Sequence, residues 1–115
     1  MREQASQVDY QGSFTTKASD YALQLYTFRL CPFAHRVRLA LAEKGVVPEA
    51  IEVDLKNRLA GFARISPLGR VPLLVHGKTN LWESAVINEY IEEIFPDPPL
   101  MAASLSDRAL ARVWI

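Results

Sequence analysis

The sequence predicts an α/β sandwich built on a small mixed sheet, and three observations predict it. An aromatic and aliphatic run, "YALQLYTF" (21–28), gives way to helical spacing at "CPFAHRVRLALAEKG". An alternating stretch, "EAIEVDL" (49–55), follows within a few residues. Two further apolar runs flank "HGK" and lead into "ESAVINEYIEEIF", again at helical spacing. With a short helix between the second strand and the hairpin, the order is β-α-β-α-β-β-α. Two strands joined through a helix pair in parallel by a right-handed crossover, and a hairpin adds antiparallel partners.

Each element has its own reason. The partial alternation of "YALQLYTF" is that of a strand packed on one face. In the segment after it, Phe33, Val37, Ala40 and Leu41 fall at i, i+4, i+7 and i+8, one face of a helix. Pro32 suits the first turn, where its missing N–H costs nothing, and Gly45 suits the C-terminal cap. Leu59, Phe62 and Ala63 suggest the short helix, closed by "SPLGR". "VPLLV" and "TNLW" form the hairpin around Gly77. In the last helix of the unit, Ile87, Tyr90, Ile91 and Ile94 face inward, with Asn88, Glu89, Glu92 and Glu93 outside. The domain is expected over residues 21–95 and a linker containing "PDPPL" over 96–104. Residues 105–115 are expected to begin a truncated helical second domain, with Leu110, Val113 and Trp114 on one side. Residues 1–20, rich in Ser, Thr and Gln, are expected to form a flexible tail; they contain no apolar stretch of a secretory signal.

Composition removes several function classes. Thirteen basic residues balance thirteen acidic ones, so no global field draws the chain to nucleic acid or an anionic membrane. No apolar run approaches the roughly 20 residues of a membrane helix. One cysteine among 115 residues excludes an internal disulfide framework and agrees with a reducing, cytoplasmic compartment.

That cysteine, Cys31, falls at the strand-to-helix junction. Unpaired N–H groups and the positive helix end favour the thiolate there, the nucleophilic form. The alternative is an inert, buried cysteine at the end of a strand. No second cysteine forms a C-x-x-C, so redox chemistry would need an external thiol. "RVPLL" places Pro72 at the start of a strand, where it forfeits no ladder bond, leaving Val71 beside it. "WESAV" opens the last helix. Glu83 and Ser84 either complement the helix end or receive a ligand carrying an ammonium and a carboxylate. The γ-glutamyl end of glutathione carries both.

Together, "CPFAHRVRLALAEKG", "SPLGRVPLL" and "WESAVINEYIEEIFP" resemble the N-terminal, thioredoxin-like domain of glutathione transferases, over residues 23–100. The first segment is similar to the cysteine-type branch, which holds the omega class and its lambda and dehydroascorbate-reductase relatives. The resemblance implies that Cys31 is the reactive thiol and that Phe33 packs beside the glutathione site. It implies a basic residue, Arg58, directed to the glycine carboxylate. Val71 would hydrogen-bond the cysteinyl unit, Pro72 would be cis, and Glu83 and Ser84 would hold the γ-glutamyl end. The implied activity is glutathione-dependent thiol transfer or dehydroascorbate reduction through a Cys31–glutathione disulfide. Glutathione would be the co-substrate, with no metal, a small-molecule or protein disulfide the second substrate, and the full-length form a homodimer. Glutathione conjugation is a rival that would need a hydroxyl such as that of Tyr26. "AEKGV" and the "LWES" segment also resemble stringent starvation protein A, a polymerase-associated relative without transferase chemistry that lacks the cysteine.

Overall fold

The structure, a computed structural model, describes residues 16–17, 22–57 and 61–115. In chain order these form β1 (Thr16–Lys17), β2 (Leu23–Thr27), α1 (Pro32–Lys44), β3 (Val46–Val47) and β4 (Glu49–Glu52). There follow α2 (Phe62–Ile65), β5 (Leu73–His76), β6 (Thr79–Trp82), α3 (Ser84–Ile94) and α4 (Leu105–Val113). The main sheet has the order β4-β2-β5-β6. The crossover through α1 makes β2 and β4 parallel, with Leu25 opposite Ala50, while β5 is antiparallel to both β2 and β6. This is the mixed thioredoxin-like sheet expected from the sequence. β1 and β3 form a separate two-residue parallel pair. That pair falls partly within the stretch expected to be a tail, most of which lies outside the described residues. Two residues of backbone pairing carry no sequence period by which to foresee them.

Alternation along β2 divides the core. Leu23 and Leu25 face α1 and α3, joining Val37, Leu41, Leu74, Ile87 and Ile91. Tyr26 takes the opposite face with Val53, Phe62 and Leu73, beneath the short α2. Each fully buried Leu or Ile contributes about 1.5–3 kcal/mol relative to exposure, so the two layers are fixed chiefly by this apolar burial. Gly45 ends α1 at φ 72°, a left-handed conformation that glycine adopts at no steric cost, and its N–H bonds the carbonyl of Ala42.

Three expectations change in detail, and part of a fourth falls outside the described residues. The inward face of α1 runs through Ala34, Val37, Ala40 and Leu41, and Phe33 points out, 57% exposed. One residue is 100° of helix, so Ala34 fills the position Phe33 was expected to take. The second strand stops at Glu52 instead of residue 55, because Asp54 turns the chain: its Oδ1 accepts from the Lys56 N–H at 3.0 Å. The short helix begins at Phe62, and Leu59 lies outside the described residues. Glu92 does not face solvent freely but meets Lys44, whose side chain is fully buried, at 2.7 Å. Among the described residues, no helix is long and apolar enough to cross a membrane.

Candidate active site

The N-terminus of α1 places the thiol. Cys31 is the N-cap residue, with extended backbone (φ −84°, ψ 119°), and Pro32 opens the first turn. Sγ accepts from the Ala34 N–H at 3.5 Å, occupying the role that a serine or aspartate oxygen fills in an ordinary cap. The Cys31 N–H donates to the Phe28 carbonyl at 2.9 Å, which closes the turn leaving β2. On its other side Sγ lies 4.0 Å from the carbonyl oxygen of Val71, to which the thiol donates. Cys31 is half-buried. It is therefore neither a fully buried core side chain nor a loose surface thiol.

The loop before β5 brings up the second wall. Ser66, 1% exposed, clamps it: Oγ donates to the Arg70 carbonyl at 3.0 Å and accepts from the Arg70 N–H at 3.1 Å. Gly69 sits inside this turn at φ 64°, a region that penalises residues with a Cβ. The chain then passes through Val71 and a cis bond to Pro72. Pro72 directly precedes β5, so its missing N–H takes nothing from the ladder.

The third wall is the start of α3. Glu83 occupies the N-cap position at φ 74°, ψ 113°, and its side chain caps nothing. Positive φ at a non-glycine residue is costly, and such conformations cluster at ligand sites. Ser84, 6% exposed, accepts a hydrogen bond from Arg36 Nη1 of α1 at 3.0 Å.

These walls enclose a cleft of about 330 Å³, lined by Phe33, Val71, Pro72, Glu83 and Ser84 among others. Five of the seven residues singled out from the sequence thus surround one space. Cys31 stands beside it, linked through Val71, and Arg58 lies outside the described residues. Sequence reasoning assigned no role to Ser66, Arg70 and Trp82, which also line the cleft, or to Arg36. Arg36 carried a signal, as the arginine within the "CPFAHR" element; Ser66 carried none beyond its place in a turn. Tyr26 packs at 5.5 Å between ring centroids against Phe62. That contact explains its presence as core.

The chemistry available is specific. A thiol at a helix N-terminus adjoins a strand entry for an extended peptide. A second helix N-terminus, with a serine hydroxyl, can receive a carboxylate, and the Glu83 carboxylate can receive an ammonium.

Comparison with known proteins gives the family. The family model described as "Glutathione S-transferase, N-terminal domain" matches residues 21–93. A probable glutathione transferase of Aplysia californica is 41% identical over 86 residues, covering 75% of this chain and 94% of that protein. A stringent starvation protein A homolog of Haemophilus influenzae is 42% identical over 81 residues, covering 70% of this chain and 38% of that protein. The crystal structure of glutathione transferase Omega 2C from Trametes versicolor superposes with a TM-score of 0.76 at 30% identity, covering 80% of this chain and 46% of that one. The chain thus spans less than half the length of the last two. With the family model matching more than half its residues, the chain belongs to the glutathione S-transferase family, by the N-terminal domain of that family.

Proposed function

We propose that this chain supplies the glutathione half of a cysteine-type, omega-like thiol transferase. The observation that carries the reading is the position of Cys31: N-cap of α1, Sγ 4.0 Å from the Val71 carbonyl at the edge of the cleft. Glutathione would lie along Val71 and Pro72 with its γ-glutamyl end at Glu83 and Ser84. Arg58 is proposed, by position in the sequence, for the glycine carboxylate. The Cys31 thiolate attacks the glutathionyl sulfur of a mixed disulfide. A Cys31–glutathione disulfide forms, the original S–S bond breaks, and the leaving thiolate takes a proton. A second glutathione thiolate attacks the glutathionyl sulfur of that adduct, giving oxidised glutathione and free Cys31. Dehydroascorbate reduction would run through the same adduct. Conjugation chemistry is less well served, because a cysteine in this position forms disulfides. A lone thiol used this way suits the reducing cytoplasm.

Incubation with oxidised glutathione should add one glutathione to the chain by intact mass, and Cys31→Ser should abolish the addition. Absence of an adduct in the folded wild-type chain would reject thiol transfer. It would favour the second reading, a non-catalytic binding protein, to which the 42% identity with the starvation protein homolog lends support.

A further inference from the structure

Arg36 has no part in the reaction as described, yet it joins two of the three walls of the site. Its Nη1 reaches Ser84 Oγ at 3.0 Å, across 48 residues of sequence. Its guanidinium carbon lies 5.9 Å from the centroid of the Phe33 ring, within cation–π range. It sits five residues along α1 from Cys31, so the helix that positions the thiol also carries this cation. The hydrogen bond it makes constrains Ser84 in a useful way. A serine hydroxyl has one proton and two lone pairs, and its rotor settles according to its partners. An unanchored hydroxyl at this position could turn its oxygen to an incoming ammonium or its proton to an incoming carboxylate. A guanidinium N–H on the oxygen takes one of its two lone pairs and turns the proton away from α1, which favours the second option. It also polarises the O–H, which strengthens its bond to an anion.

We propose that Arg36 is a positioning residue for carboxylate recognition. By donating to Ser84 Oγ it orients that hydroxyl to donate to the α-carboxylate of a γ-glutamyl group. Glu83 is left to the ammonium. This assignment rests on the glutathione reading of the cleft.

The test compares two unreactive ligands by calorimetry: S-methylglutathione, and S-methyl 4-aminobutanoyl-cysteinylglycine, which keeps the amine and lacks the α-carboxylate. Arg36→Met should weaken the first about tenfold and the second less than about twofold, as expected for loss of one hydrogen bond to a charged group. Ser84→Ala should do the same. In the Ser84→Ala background, Arg36→Met should cost nothing further, since one residue acts through the other. Arg36→Lys, which keeps a donor and a charge, should restore part of the preference and serves if Arg36→Met does not fold. Equal weakening of both ligands, or additive losses in the double variant, would overturn the assignment and leave the glutathione reading standing. Failure of wild type to bind S-methylglutathione would overturn both.

Discussion

Glu83 concentrates the conflict between folding and binding at a single residue. Its φ of 74° is unfavourable for any side chain, and its carboxylate makes no capping bond to offset that cost. Glutamate at this position is therefore best explained by something the folded domain alone does not use. Glu83→Gly removes both the strain and the carboxylate, and the two effects separate. Stability, measured by urea denaturation, should be unchanged or higher by about 1 kcal/mol, because glycine tolerates positive φ at some cost in unfolded-state entropy. Affinity for S-methylglutathione should fall. Glu83→Ala should lose the same affinity without the gain in stability. A glycine variant that binds as tightly as wild type would return Glu83 to a purely structural role. The residue scale is also where the sequence was least complete. The family resemblance singled out Cys31, Val71, Pro72 and Glu83, and the fold gathers them in or beside one cleft. The bond between Arg36 and Ser84 was not legible, because no local pattern reports which arginine of a helix meets a serine 48 residues later.

At the scale of elements, the ends of helices were the most legible features, since their signals are local. Pro32 and Gly45 bound α1 where expected, and Ser104 caps α4 by accepting from the Asp107 N–H at 3.1 Å. The docking of the linker onto α1 and α3 was not legible, because it depends on a buried lysine, a residue type that is seldom buried. Lys44 Nζ donates to the Pro98 carbonyl at 2.6 Å and pairs with Glu92. Glu92 in turn accepts from the N–H groups of Leu100 and Met101 at 3.1–3.2 Å. Burial pushes the Glu92 carboxyl up, but Lys44 and the two backbone N–H groups outweigh it and hold the group below the usual carboxylate range. A depressed folded value means that the unfolded chain binds the proton more readily. The stabilisation is therefore complete above the ordinary carboxylate value and is lost as pH falls through the folded one. Glu92→Gln leaves Lys44 charged, buried and half-satisfied, and should cost about 3 kcal/mol near neutral pH. Lys44→Met removes the buried charge and should cost less. The gap in denaturation midpoint between wild type and Glu92→Gln should narrow from pH 7 to pH 3. A constant gap would mean that the carboxylate charge contributes nothing.

For the molecule as a whole, the same linker decides where the stable unit ends. α4 buries none of its residues; Leu105 and Val113 are 84% and 73% exposed, and Trp114 at its C-terminal cap is 86% exposed. Among the described residues, a side-chain tie to the domain is the pair between Arg112 and Glu89, at 3.0 and 3.1 Å. An exposed ion pair of this kind is screened by solvent and adds little, and a nine-residue helix is marginal without packing. The buried apolar layers and the Cys31 cleft draw on residues between 23 and 95. The polar clamp extends the cooperative unit to Met101, through the carbonyl of Pro98 and the amides of Leu100 and Met101. Two truncations should therefore behave differently despite differing by only seven residues. A chain ending at Ala103 should unfold within about 1 kcal/mol of the 115-residue chain and accept glutathione on Cys31 equally well. One ending at Pro96 strips Glu92 of its backbone donors and Lys44 of its carbonyl, and should lose several kcal/mol. Exposed apolar side chains on α4 also favour association between copies. Sedimentation of the 115-residue chain should accordingly show concentration-dependent self-association, which the Ala103 form should largely lose. If both truncations were equally stable, the clamp would be an ornament of the surface. If the Ala103 form unfolded, α4 would be holding the domain together through contacts far stronger than one exposed ion pair supplies.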